Sequence, residues 1–581
     1  MFCCLFFLFL DAIGQLHNEG VSHRLNSQVA RHRFLRFRTG NSVVSVKIAT
    51  FLLGLNLGAL QEMSTTLLTL EELADLEERQ SHILPAGTLM DRAGFVIANW
   101  IDDQCDAAST IVILCGPGNN GGDGYTAAAH LKGRGHHVIC VMVGGKKPKT
   151  EDAQRAYQNW LDKGGEVIED PYMAPKADVV VDAMFGVGIS KPISGDFIDA
   201  VLWFNERQAL HMALDIPTGI DAEKGTWVGG IKGCMADMTL NLISAKAGCF
   251  MNDGKDASGM VTLSELDVSV PLASRGLIDT DDFKHILELR KYNSHKGTYG
   301  HVVVIGGAKG KTGAAIMAAR SALKLGAGSV TVELMLDNPP AYDPVQPELM
   351  ITNDEQDLSQ ADAIVIGCGM GFSEQAKKRL VDAINTKVPL IIDADALTMI
   401  SQDQALEDSV LGRRAHTVMT PHPGEAARLL HRDVKEIQAD RMESARELAL
   451  QTGAIVVLKG TGTVVALRSS RTWVNPTGSA CLSTAGTGDV LAGMIASFFA
   501  QKFDMVSATL GAVWLHGEAV RARNTGIVAM DVAERAARAL EILRWGGNPD
   551  DLIDPYDESE FVLDEDGPGE ALARTMGSEE A

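Results

Sequence analysis

No CxxC pair occurs among the nine cysteines, which fall at 3, 4, 105, 115, 140, 234, 249, 368 and 481. No Cys/His spacing of the zinc-site kind emerges either, so neither a structural zinc nor a disulfide framework is indicated. Idle or buried thiols in a reducing cytoplasm are the better reading. Positive charge is scarce: 52 Lys and Arg face 75 Asp and Glu, a net charge of −23. Nucleic acid is thereby excluded as a partner, because a phosphate backbone needs clustered Lys and Arg. Long apolar runs are missing too. MFCCLFFLFL opens the chain with ten residues and no basic residue before them, whereas a bilayer needs about 20. No membrane partner is expected, and residues 1–62 read as an extension outside any domain, with a signal or transit peptide as the alternative. No repeat of roughly 20–50 residues appears, which excludes a solenoid.

The acidic excess is uneven. Residues 548–581 hold twelve Asp or Glu against Arg574 alone. Without apolar periodicity, 547–581 is expected to be a solvated, disordered tail.

What the chain does have is apolar residues (46%) and 58 glycines, enough for large cores and many tight strand-to-helix turns. After Met63, the run STTLLTLEELADLEERQ carries a Thr cap, early acids and helical spacing, and reads as a domain start. From 63 to 275 wholly apolar strands (TIVILCG, HHVICVMVG, ADVVVDAMFG, HMALDIPTG, MTLNLISA) alternate with amphipathic helices. A second such series, with HVVVIGG, SVTVELM, DAIVIGCG, VPLIIDAD and AIVVLKG, occupies 280–546. Strands apolar on both faces predict parallel sheets covered by helices on each side. The fold class expected is therefore two α/β domains, the first a Rossmann-like three-layer α/β/α sandwich. The stretch 268–282 reads as the linker between them.

GPGNNGGDG at 116–124 follows a buried strand and opens a helix, the setting for an anion beside backbone amides. A generic glycine-rich turn is the plain alternative, since the spacing is neither GxGxxG nor a P-loop. Two further strand ends bear Asp182 and Asp215, and carboxyl strand ends of a parallel sheet converge on one crevice. Asn120, Asp182 and Thr218 could together offer hard oxygens to a monovalent cation. Each aspartate alone could be no more than a cap or turn residue.

In the second half, STAGTGDVLAGM puts Asp489 at the start of an apolar helix behind Gly486 and Gly488. Free amides there can receive a phosphate, and the aspartate can deprotonate a hydroxyl as a phosphoryl group approaches. An ordinary Asp N-cap is the competing explanation. Lys459, Gly460, Thr461, Gly462 and Thr463 form a second polar strand-end loop. His422 precedes a helix with Glu425 in its first turn. Asp393 and Asp395 close another strand, where magnesium or a ribose could be met.

GPGNNGGDG, VVDAMFGVG and LDIPTGID resemble the NAD(P)H-hydrate epimerase family. HKGTYGHVVVIGGAKGKTGAA, IDADAL, TPHPGEAARLL, LKGTGTVV and GTGDVLAGMI, in that order, resemble the ribokinase-like NAD(P)H-hydrate dehydratase family. The resemblance implies that the first half interconverts the R and S hydrates NADHX and NADPHX. Asn119, Asn120, Gly121, Gly122, Asp123, Gly186, Val187, Gly188, Ile189, Ser190, Lys191, Pro192 and Asp215 would bind the hydrate. Asn120, Asp182 and Thr218 would hold potassium, with Asp182 also touching the proton chemistry. It implies that the second, ribokinase-like half dehydrates the S form through phosphorylation by ADP, with magnesium. Lys459 to Thr463 and Gly488 would then contact the adenine nucleotide. Gly371, His422 and Asp489 would contact the hydrate, Asp489 as the acid-base catalyst. Cys368 stands where the family usually has proline, implying a change of loop stiffness without loss of chemistry. A homo-oligomer in the cytoplasm is expected. The alternative is a vitamin-type small-molecule kinase fused to a Rossmann-like binding or scaffolding module.

Overall fold

The computed structural model describes residues 65–521 and 526–548, with a backbone hairpin pairing Leu35–Thr39 and Ser42–Val46. Apart from that hairpin, the 1–62 extension lies outside the described residues, as does the acidic tail beyond 548. The hairpin belongs to one compact unit, Met1–Gln61, and both large sheets to the other, Glu62–Ala581.

The first sheet has seven strands: β1 Thr110–Cys115, β2 His137–Met142, β3 Glu166–Ile168, β4 Val179–Ala183, β5 Leu210–Leu214, β6 Met238–Leu242 and β7 Met260–Ser264. Their spatial order is β3-β2-β1-β4-β5-β6-β7, parallel throughout. Ile111 to Leu114 are fully buried because helices cover both faces. Thr69 opens helix Leu70–Ile83 with a reciprocal cap: its Oγ1 accepts from the Glu72 amide at 3.0 Å and its own amide donates to Glu72 Oε2 at 2.8 Å.

The second sheet has ten strands: β8 Arg275–Leu277, β9 His301–Gly306, β10 Ser329–Leu334, β11 Met350–Thr352, β12 Ala363–Ile366, β13 Leu390–Ile392, β14 Thr417–Met419, β15 Ile455–Leu458, β16 Val464–Ala466 and β17 Thr472–Val474. The order is β8-β17-β16-β15-β14-β13-β12-β9-β10-β11, and β16 alone runs against its neighbours. In both sheets the chain works outward from one strand and then returns to its other side. That reversal opens a crevice at the carboxyl ends, between β1 and β4 and between β9 and β12.

The stretch read as a linker does more than connect. Within it β8 forms the edge of the second sheet, and the first half clips onto that edge: the Leu67 amide donates to the Arg275 carbonyl at 3.1 Å and the Leu277 amide to that of Thr65 at 2.8 Å. A three-residue strand containing glycine is too short to show a period. The halves also share a buried apolar cluster, in which Ile220, Phe250 and Met251 pack with Leu277, Val464 and Val474. Among the described residues no helix is long and apolar enough to cross a membrane.

Candidate active sites at two strand-order reversals

At the β1/β4 reversal the two strand ends touch so closely that side chains are forbidden. A Cβ on Gly116 would lie 1.8 Å from the Met184 carbonyl oxygen, and one on Gly121 would lie 2.0 Å from that of Gly116. Helix Asn119–Gly133 therefore begins inside the motif, although its glycines are weak helix formers. Contact with β1 and β4 overrides propensity. Gly118 caps this helix with no side-chain bond, so its first amides remain available to an anion. Gly121→Ala should lower stability by about 1–3 kcal/mol or more, the usual cost of overpacking, and impair the crevice. Thermal melting with a parallel activity assay checks this.

Asp182 sits fully buried in β4. Its Oδ1 accepts from the Met184 amide (3.1 Å) and Thr218 Oγ1 (2.8 Å), and its Oδ2 from the Thr218 amide (2.7 Å). Burial pushes its pKa up while the Thr218 and Met184 donors pull it down. Asn120 is buried as well, and its amide nitrogen has no partner among the described residues. Asp215, just past β5, holds φ at 67°, a left-handed conformation that is strained for most side chains. Its carboxylate accepts from the Leu242 amide at 3.1 Å and forms an ion pair with the buried Lys246. Lys246 also donates to the Leu242 carbonyl at 2.5 Å.

A Cβ on Gly186 would stand 3.4 Å from Asp215 Oδ2 and 3.6 Å from Asn120 Cγ, so Gly186, Asn120 and Asp215 face one another. Asp123 lies close by; burial, then the charges of Asp215 and Glu77, push its carboxyl well above the usual range. Asn119 accepts from Thr150 Oγ1 at 2.5 Å. Of the turn 187–192, Val187 packs against two buried apolar clusters, while Gly188 and Ser190 to Pro192 are exposed, with Ile189 between. Lys246 went unnoticed in the sequence. The available signal was a lone lysine, NLISAK, ending an otherwise apolar strand.

At the β9/β12 reversal, the Gly307 amide donates to the Cys368 carbonyl at 3.0 Å and the Ala308 amide to that of Gly369 at 2.7 Å. Gly367, Gly369 and Gly371 all adopt positive φ, which accounts for the glycines of IGCGMG. Asp395 accepts from the Gly371 amide at 2.9 Å and pairs with Lys311 at 3.0 Å. Asp393, buried at the end of β13, pairs with Lys459 Nζ at 2.7 Å.

Helix Thr487–Ala500 enters this cluster with Gly486 as its N-cap, in a left-handed conformation at φ 93°. Asp489 is therefore not the cap; it is the third helical residue, freed to face the crevice. Sγ of Cys368 and one carboxylate oxygen each of Asp393 and Asp489 lie within 4.8 Å of one another. Burial, then the charge of Asp393, raises Asp489 to about 6. A Cβ on Gly488 would lie 3.1 Å from Lys459 Nζ, which brings that backbone beside the same ammonium.

His422 caps helix Pro423–Leu429. Its Nδ1 accepts from the amides of Gly424 (3.0 Å) and Glu425 (3.3 Å), and its own amide donates to Glu425 Oε2 at 2.7 Å. Half-buried, with Lys459 and Arg428 nearby, it is held below its ordinary pKa, leaving a neutral ring. Burial lifts Glu425 to about 7. Two further positioning residues went unseen in the sequence. Arg441 is buried and its Nη2 donates to the carbonyls of Leu458 (3.1 Å), Lys459 (3.2 Å) and Gly462 (3.3 Å). His516, neutral because burial lowers it to about 4, donates from Nε2 to the Thr487 carbonyl at 2.9 Å. Neither lies near its target in sequence.

Residues 86–248 match the family described as YjeF-related protein N-terminus, and residues 302–540 match NAD(P)H-hydrate dehydratase. The bifunctional NAD(P)H-hydrate repair enzyme Nnr of Escherichia coli (strain K12) is 34% identical over 486 residues, covering 81% of this chain and 91% of that relative. The chain belongs to the bifunctional NAD(P)H-hydrate repair enzymes. A bifunctional repair enzyme of Leishmania braziliensis is 31% identical over 487 residues, covering 76% of this chain and 85% of its own. Among solved structures, the ADP/ATP-dependent NAD(P)H-hydrate dehydratase from Bacillus subtilis co-crystallized with ATP/Mg2+ is 30% identical. It covers 45% of this chain and 96% of its own, with a TM-score of 0.40. In this member of the hydrate-repair enzymes the two matched regions each contain one strand-order reversal, the first with Asn120, Asp182 and Asp215, the second with Lys459 and Asp489.

Proposed function

We propose that the first half, 63–275, interconverts the R and S forms of NADHX and NADPHX, and that the second, 280–546, dehydrates the S form at the expense of ADP. The observation that carries this reading is a polar crevice with an acid of raised pKa at the order reversal of each sheet. Fusion suits the chemistry, because the product of the first step is the substrate of the second. The partners are small nucleotides, and a homo-oligomer acting in the cytoplasm completes the reading.

In the second crevice, Asp489 takes the proton of the hydrate hydroxyl as that oxygen attacks the terminal phosphoryl of ADP. The bond to AMP breaks, and Lys459 with the Gly488 backbone receives the charge on the phosphates. The phosphorylated hydrate then loses phosphate and a ring proton, restoring the dihydronicotinamide. Gly371 and His422 border the hydrate, and Lys459 to Thr463 hold the nucleotide. The carboxylates of Asp393 and Asp395 offer hard oxygens suited to magnesium, but each already faces a lysine. Magnesium would therefore enter with the nucleotide, and its chemistry is to neutralise phosphate charge.

In the first crevice, Asp182, Thr218 and Asn120 would hold potassium. The unpartnered, buried Asn120 amide supports that assignment, since Asn presents oxygen and nitrogen at the same place. The ion's contribution is a fixed positive charge near the hydrate. Asp182, whose oxygens are already engaged by three donors, suits ion binding better than proton transfer. Proton transfer suits Asp215 and Asp123. Asp215, paired with Lys246, would act as the base for the C6 hydroxyl, and Asp123, its carboxyl pushed up by burial, as the acid for N1. Opening of the C6–N1 bond and reclosure on the other face would invert C6.

Separated R and S hydrates, each incubated with ADP and magnesium while NADH absorbance is followed, test the whole scheme. Recovery of NADH from both is expected. A phosphorylated product accumulating without NADH would sink the dehydratase reading, and recovery from S alone the epimerase one.

A further inference from the structure

The nucleotide loop assigned to the second half is walled by residues of the first. The Phe250–Asn252 segment lies directly against it: a Cβ on Gly462 would fall 2.2 Å from the Phe250 carbonyl oxygen and 2.7 Å from Met251 Cγ. The Asn252 amide reaches the Thr461 carbonyl at 3.4 Å. From the same residue, Nδ2 donates to the carbonyls of Lys224 (2.9 Å) and Gln438 (3.1 Å), bridging the halves. Gln438 Oε1 in turn accepts from Arg441 Nη1 at 2.6 Å, and Arg441 grips three carbonyls around the loop. Three residues further along helix Asn252–Ser258, Lys255 Nζ donates to the Pro476 carbonyl at 2.6 Å. The second half thus holds the loop from beneath through Arg441, and the first half closes its outer side.

Asn252 has a backbone reason to be there as well. Its φ is 49°, in the left-handed region where asparagine is among the few tolerated side chains. This turn follows Lys246 in the chain and is continuous with the Lys246–Asp215 pair of the first crevice through the buried turn Ala247–Phe250.

The geometry points to Met251 and Asn252 of the epimerase half as positioning residues for the dehydratase reaction, setting the conformation in which Lys459 to Thr463 receive the nucleotide. This rests on the assignment of that loop to the nucleotide. The role is one of affinity and does not involve the reacting atoms, so the effect belongs in KM for ADP and leaves kcat nearly unchanged. Asn252→Gly keeps the left-handed backbone while deleting the bridge to Lys224 and Gln438. Met251→Ala removes the apolar wall behind Gly462, and Met251→Leu restores its volume.

The test uses the full chain, ADP with magnesium, and S-NADHX, with ADP binding measured by calorimetry and the epimerase rate and melting temperature measured alongside. For Asn252→Gly and Met251→Ala, ADP KM and Kd should each rise by about tenfold, the size of one lost hydrogen bond or packing contact. The dehydratase kcat should stay within about twofold, the epimerase rate should hold, and Met251→Leu should return KM to the wild-type value. An unchanged ADP affinity in both variants overturns the proposal, as does a joint fall of kcat, epimerase rate and melting temperature. If the wild-type chain itself binds no ADP, the loop assignment fails first and this proposal fails with it.

Discussion

Asp489→Asn should lower dehydration by about 10²–10⁴-fold, the range for loss of a general base, while leaving interconversion of R and S hydrates unchanged. The carboxylate must be ionised to accept the hydroxyl proton. With its pKa raised to about 6 by burial and by Asp393, kcat/KM for dehydration should rise as pH climbs through about 6 and then level off. The same shift acts on stability with a definite sign. An unfolded aspartate titrates near about 3.9, so between about 3.9 and 6 the folded chain holds more proton than the unfolded one. Stability contributed by this group therefore falls across that window as pH rises, and the cost is complete above it. Asn at 489 removes the cost. The variant should melt higher than wild type at pH 7.5 and lose that advantage at pH 4. A variant that melts lower at both pH values, with epimerisation also lost, would mean the side chain was structural.

Lys246→Met should reduce epimerisation by a similar factor of about 10²–10⁴ and spare dehydration of purified S hydrate. It should also destabilise, by up to about 3–5 kcal/mol, because the part-buried Asp215 carboxylate loses its only ion-pair partner among the described residues. Those two effects can be separated. Adding Asp215→Asn to Lys246→Met removes the stranded charge, so the double variant should recover much of the stability and none of the activity. Recovery of epimerisation along with stability would reduce the pair to a packing role and return the proton chemistry to Asp182.

The two reversals explain why some of this was legible beforehand. TIVILCG and HVVVIGG announce buried parallel strands because both of their faces must be apolar, and their terminal glycines mark where two strand ends meet without room for a Cβ. Family motifs then drew attention to Asn120, Asp182, Asp215, Lys459 and Asp489. Lys246, Arg441 and His516 were not legible in the same way. Each works by meeting a group brought to it by folding: Lys246 meets Asp215 from 31 positions away, Arg441 meets the Gly462 carbonyl from 21, and His516 meets the Thr487 carbonyl from 29. No local pattern reports such meetings. The edge strand β8 was missed for another reason, since three residues carry no period and their pairing depends on β17 and on the arriving Thr65–Leu67 segment.

By itself the sequence determined the two-sheet α/β architecture and which strand ends carry acids and glycines, because periodicity, charge and glycine placement are local properties. Tertiary structure alone decided that Asp489 is the third helical residue and not a cap, and that Asp182 is locked by Thr218. It alone decided that the first half walls the Lys459–Thr463 loop of the second. Those outcomes depend on which distant backbone fills the space beside each group, and burial and the neighbouring charges then set its protonation.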